Sequence, residues 1–165
     1  MTRTTLNRFL DAMSGEAYKV FDINLRQHFY TMEVLKDSLV RCNLLKLNDE
    51  ELVILSELLE LSEKSIEGKC WEMMKRFDLK VLILTCGKQG SYVFSGDTRS
   101  FLDTPHVKVV DTVGAGDSFT AAFCAAILKG KSMVEAHRLA VEVSAFVCGQ
   151  AGAMPRLPEK LKGIL

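Results

Sequence analysis

No run of apolar residues in this chain approaches the ~20 that cross a bilayer as a helix. Charge is not gathered into blocks either: 21 basic and 21 acidic residues cancel to a formal net charge of zero. The lack of a basic patch argues against nucleic acid as a partner. The lack of a charge block argues against a solvated tail, and the lack of a long apolar run against a membrane. The first residues, Met1-Thr2-Arg3-Thr4-Thr5, do not supply the apolar core of a signal peptide. Cysteine is present but unpaired in pattern. The five (42, 70, 86, 124 and 148) form an odd set without a C-x-x-C pair, which argues against a zinc site. Most lie in apolar periodic segments, where a free thiol is a small hydrophobe suited to a reducing cytoplasm. What remains is a chain of 165 residues. That is long enough for a single domain over 1–165 that buries roughly 70% of its unfolded surface.

Short apolar runs alternate with segments of helical spacing. Leu6, Phe9, Leu10 and Met13 mark a helix over 4–14 that Gly15 ends. Lys19 to Asn24 reads as a buried strand, followed by a loop through Arg26. Met32, Leu35, Leu39 and Val40 recur at helical spacing, and Leu44 to Leu47 is a second strand. Asn48 to Glu51 starts a helix that is acidic in its first turn, as the helix dipole favours. Ser65 to Phe77 is a further helix, with Trp71 and Met74 on its apolar side. Val81 to Leu84 is a third strand, ending at Thr85-Cys86-Gly87-Lys88-Gln89-Gly90. A hairpin over 91–102 turns at Gly96-Asp97. Val107 to Val110 forms a strand, a helix runs from the following glycines to about Lys129, and another runs from Met133 to about Gly149. Ala151 to Pro155 is a turn, and the last residues form a short helix. Strand alternating with helix specifies an α/β fold with a largely parallel sheet, whose ligands bind at the carboxyl ends of the strands.

The stretch Val109-Val110-Asp111-Thr112-Val113-Gly114-Ala115-Gly116-Asp117-Ser118-Phe119 is the most informative. Its glycines open a helix whose first N–H groups lack intrahelical partners and carry partial positive charge, so an anion can approach closely. Asp117 at that place is either a helix cap or a base that takes a proton from something held beside the anion. Asp22/Asn24/Arg26, Asn48/Glu51 and Thr85/Gly87 fall at the other strand ends, and this convergence favours the base. Other motifs are absent. A dinucleotide fingerprint requires a third glycine where Phe119 stands, and Gly87-Lys88-Gln89-Gly90-Ser91 lacks P-loop spacing. Asn48-x-x-Glu51 suits a hydrated magnesium ion or a phosphate, and equally a cap with a dipole partner. His28, His106 and His137 share no spacing for metal or triad work and are read as structural or exposed.

Together these segments resemble the ribokinase-like (PfkB) carbohydrate kinases. Asp111-Thr112-Val113-Gly114-Ala115-Gly116-Asp117 resembles the family's C-terminal signature, and Phe21-Asp22-Ile23-Asn24-Leu25-Arg26 a strand-end segment of its fructokinase-like branch. Asn48-x-x-Glu51 is similar to the magnesium/phosphate motif. Thr85 to Ser91 is similar to the nucleotide loop, and Gly152-Ala153-Met154-Pro155 to the C-terminal turn. The resemblance implies a three-layer ribokinase-like fold and transfer of the ATP γ-phosphoryl group to the hydroxyl of a small sugar. Asp117 would be the base and would also touch the sugar. Gly114, Ala115 and Gly116 would stabilise the transferring group through their N–H groups. Asn24, Asn48, Thr85, Gly87 and Gly90 would bind ATP, and Arg26 the substrate. Asn48 and Glu51 would hold Mg2+ through water, and Asp111, Val113 and Gly152 a monovalent cation such as K+. Full-length members are much longer, and their N-terminal half supplies the first strands, most sugar-binding residues and a β-sheet lid. By that layout this chain corresponds to the C-terminal part. Self-association through an exposed sheet edge is therefore expected. The alternative is a non-catalytic nucleotide-binding or scaffold module that works beside a partner.

Overall fold

Leucine-rich runs too short to be helices, spaced by amphipathic segments, give an α/β chain with a mixed, largely parallel sheet. The computed structural model describes residues 2–27 and 29–162. Two compact units divide the chain, Met1–Leu82 and Ile83–Leu165.

In the first unit, α1 (Thr2–Ala12) precedes β1 (Val20–Asp22), α2 (Met32–Arg41), β2 (Leu44–Asn48), α3 (Asp49–Leu58), α4 (Ile66–Arg76) and the start of β3 (Val81–Thr85). The crossover through α2 makes β1 and β2 parallel, with Val20 opposite Leu44 and Asp22 opposite Lys46. β2 is covered on both faces, so Leu44, Leu45 and Leu47 are all at most 1% exposed. Leu35 and Leu39 of α2, Leu52 and Leu55 of α3, and Cys70, Met73 and Met74 of α4 complete this core. Asn43 fixes the strand starts. Its side chain accepts from Lys19 N and donates to Ala17 O, and its carbonyl accepts from Lys80 N and Val81 N.

The expected buried strand at 19–24 is shorter and more exposed than its apolar pattern implies. β1 is the end strand of the order β1-β2-β3, and Val20 is 43% exposed. Pairing on one side only leaves its other edge open. The first helix likewise has no buried residue, with Leu6 and Phe9 exposed.

The second unit continues β3 into a 3-10 turn at Gly87–Gln89, then an antiparallel hairpin of β4 (Ser91–Ser95) and β5 (Thr98–Leu102), closed at Gly96-Asp97. Two long helices follow, α5 (Ala115–Leu128) and α6 (Met133–Cys148), and then the short α7 (Glu159–Lys162). Small residues let α5 and α6 approach closely: Ala122 and Ala126 on one, Ala136 and Ala140 on the other, all buried. A capping box between Ser132 and Glu135 starts α6.

The strand expected at Val107–Val110 is not formed. These residues are extended chain, and Val109, Val110 and Val113 are each more than half exposed. β-propensity measures fit to a pleated, half-buried surface, so it makes no strand without a partner ladder. Here Val110 N and Asp111 N donate instead to Cys148 O at the end of α6.

Candidate functional site

In the first unit the parallel register brings two chain segments off the sheet together. The Asp22 carboxylate meets Lys46 Nζ at 3.0 Å across the β1–β2 pair, and Ile23 N donates to Lys46 O. Beyond that pair lie Asn24 and Asn48. Glu51, only 6% exposed, binds both segments: Oε1 accepts from Leu25 N at 3.1 Å and Oε2 from Asn48 N at 2.8 Å. Asn48 Oδ1 in turn accepts from Glu51 N at 2.8 Å. The Asn-x-x-Glu spacing is therefore a capping box, the plainer of its two readings, extended to a second strand end. Asn24 and Arg26 are both exposed at that end. His28 lies outside the described residues.

In the second unit the loop after β3 is tightly closed. Cys86 N donates to Gly90 O and Gln89 N to Cys86 O, both at 2.9 Å. Thr104 Oγ1 donates to Gly87 O at 2.6 Å. Gly90, at φ +123, lies so close to β5 that a Cβ there would stand 2.5 Å from Leu102 O. Gly87, Lys88 and Gln89 are exposed above this base, and Thr85 is half-buried below them.

The N-terminus of α5 is the most open polar feature. Its N-cap is Gly114, at φ +79, which has no side chain to accept from the first N–H groups. Ala115 N reaches Thr112 O only at 3.3 Å. The helix end is anchored through the Ala115 carbonyl, which accepts from Ser118 Oγ at 2.9 Å and from Ser144 Oγ of α6 at 3.0 Å. Asp117 sits at the third helical position with an exposed side chain, and neither it nor Ser118 is the cap. That leaves a carboxylate beside N–H groups that no side chain caps, the arrangement in which a base can act next to a bound anion.

Asp111, Val113 and Gly152 are brought together, by hydrogen bonds of the opposite sense to cation ligation. Asp111 Oδ1 accepts from Val113 N at 3.0 Å and Oδ2 from Gly152 N at 3.2 Å. The Val113 N–H first, then that of Gly152, holds the Asp111 carboxyl below the usual carboxylate range. Burial first, and then the nearby Asp111 charge, raises the Cys148 thiol.

Sequence reasoning passed over the residues that hold these loops from a distance: Lys46, Thr104 and Ser144. His137, read as structural or exposed, is fully buried between two serines, whereas His106 is exposed. None of the five cysteines is in a disulfide. Burial pushes the Cys42 thiol up to about 12, consistent with packing rather than chemistry. Among the described residues no group of three or more His, Cys, Asp or Glu could hold a metal ion, and no helix is long and apolar enough to cross a membrane.

A family model described as "pfkB family carbohydrate kinase" matches residues 3–160. "Probable fructokinase-3" of Arabidopsis thaliana is 29% identical over 165 residues, covering 93% of this chain and 46% of that protein. A nucleoside kinase of Methanocaldococcus jannaschii, described as an archaeal member of the ribokinase family, superposes with a TM-score of 0.78 at 25% identity. That match covers 96% of this chain and 51% of the kinase. The fold is shared also with a fructokinase of Vibrio cholerae, solved with fructose, ADP and calcium (TM-score 0.81, 23% identity, 99% of this chain and 56% of that one). The chain thus spans about half the length of the relatives it matches.

Proposed function

The chain belongs to the pfkB family of carbohydrate kinases, and we propose that it carries the nucleotide-binding, catalytic-base half of an ATP-dependent, fructokinase-like sugar kinase. The observation that supports this most directly is the exposed Asp117 carboxylate beside the uncapped N–H groups of α5. In this reading Asp117 accepts the proton of the attacking sugar hydroxyl. The N–H groups of Gly114, Ala115 and Gly116 stabilise the charge that develops on the transferring phosphoryl oxygens. The serine contacts to Ala115 O hold those donors still, so little reorganisation is needed during the reaction. In the second unit Thr85, Gly87 and Gly90 are assigned to the nucleotide; in the first, Asn24 and Asn48 are assigned to ATP and Arg26 to substrate.

Magnesium supplies charge neutralisation between the phosphates when bound. The residues present fit a hydrated ion better than a stripped one. Both Glu51 oxygens already accept backbone N–H bonds, which leaves lone pairs for water, and magnesium keeps several waters. A monovalent cation such as K+ would have to rely on carbonyl oxygens around Asp111, Val113 and Gly152, because the Asp111 carboxylate already serves two N–H donors.

A second reading, a nucleotide-binding module that needs a partner, is favoured by the exposed valines at 109, 110 and 113 and the open edge of β1. Calorimetric titration with ADP–Mg2+, followed by an assay of fructose-dependent ADP formation from ATP, separates the two. Binding with transfer supports the kinase half. Binding without transfer supports the module. No ADP–Mg2+ binding contradicts both.

A further inference from the structure

Ser91 opens β4 directly after Gly90, the last residue of the closed loop. Its hydroxyl lies 2.8 Å from His137 Nε2, while Ser100 Oγ of β5 lies 2.9 Å from Nδ1 of the same ring. All three residues are buried, His137 completely, and its ring packs 6.0 Å from that of Phe119 on α5. A neutral imidazole donates from one nitrogen and accepts at the other, and a serine hydroxyl can do either, so both hydrogen bonds form at once. One side chain of α6 thereby ties two adjacent strands to the helix.

The rest of the loop is already fixed. Its ends are joined through Cys86 N and Gly90 O, Thr104 holds the Gly87 carbonyl, and Gly90 is pressed on β5. Where Gly90 passes into β4, Ser91 is paired with Leu102 of β5 through the backbone, and its side chain meets the ring. We infer that His137 is a positioning residue for the 86–91 loop, holding it through Ser91 in the shape that receives the nucleotide. This rests on the nucleotide-binding role proposed above. His137 touches no ligand in this account. Both serines are paired within the hairpin, but they are not equivalent: Ser91, opposite Leu102, adjoins the loop, whereas Ser100, opposite Val93, lies in mid-hairpin.

That asymmetry supplies the test. Asn places an amide at the level of Nδ1, facing Ser100, and Gln places one near Nε2, facing Ser91. ADP–Mg2+ affinity by calorimetry and stability by urea unfolding are measured for the wild type, Ser91→Ala, Ser100→Ala, His137→Gln and His137→Asn. All four variants lose stability. Ser91→Ala and His137→Asn weaken ADP–Mg2+ binding about tenfold, the equivalent of one lost hydrogen bond. Ser100→Ala and His137→Gln keep affinity within about threefold of the wild type. The serine variants remove one hydroxyl each and keep the core filled, so the comparison stands on them where a histidine variant does not fold. Wild-type binding with equal affinity in all variants, or affinity that tracks stability alone, overturns the positioning role and leaves nucleotide binding intact. Absence of wild-type binding overturns the nucleotide role itself, and the inference with it.

Discussion

Asp111 directs its carboxylate at the N–H groups of Val113 and Gly152, whereas Asp117, in the next turn of chain, leaves its own exposed at the start of α5. Backbone geometry underlies this difference. Gly114 holds φ +79 with Ala153 packed against it, and a Cβ there would lie 2.6 Å from Ala153 O and 2.9 Å from Ala153 Cα. Gly114→Ala is expected to destabilise the protein by about 2–3 kcal/mol through left-handed strain and this overlap. Urea unfolding checks it, and an unchanged midpoint would show that the Ala153 turn yields freely. His137 makes a different kind of prediction. Burial pushes its pKa from 6.5 down to about 4. Between those values the unfolded state binds more protons than the folded one, so stability falls as pH drops through the window. The contribution is full above pH 6.5 and gone by pH about 4. A shift of that size corresponds to about 3 kcal/mol. Asp37 and Asp111 are lowered from 3.8, and Glu72 and Glu135 from 4.5, so their contributions are lost as pH falls through the low end of this window and below it. His137→Gln should therefore flatten the stability profile between pH 4 and 6.5. An undiminished slope in that variant would place the titration elsewhere. The His137 network was not legible in the sequence, because Ser91 and Ser100 lie 46 and 37 positions from the histidine.

Where function at the level of elements depends on local chemistry, the sequence was readable. Asn48 and Glu51 mark the start of α3, and Gly96-Asp97 closes β4 and β5, because caps and turns are decided by residues a few positions apart. Where pairing decides, it was not. Val107 to Val110 has strand composition and no ladder, and β1 is more exposed than its apolar run suggests because it is the end strand, paired with β2. The dual role of Glu51 also came from tertiary structure, since its bond to Leu25 N depends on the parallel β1–β2 register. Glu51→Ala leaves two N–H donors near the strand ends without their acceptor and should cost about 2–4 kcal/mol. Glu51→Gln retains an acceptor oxygen and should cost less. Amide exchange at Leu25 and Asn48 reads this directly. Equal protection in Glu51→Ala and the wild type would refute the bracing role.

At the scale of the whole molecule, the chain spans about half the length of the relatives it matches, and Val20, Val109, Val110 and Val113 are exposed. An open edge at β1 invites pairing with another strand. Sedimentation velocity is expected to show association that rises with concentration and is weakened by Val20→Lys. A monomer at every concentration would contradict that expectation. The central claim concerns chemistry at the head of α5, and one comparison tests it most directly: fructose-dependent ADP formation by the wild type and by Asp117→Asn, with ADP–Mg2+ affinity measured on both. The account predicts a fall in turnover on the order of 10²–10⁴ in the variant with affinity unchanged. Equal turnover in the two proteins would contradict it.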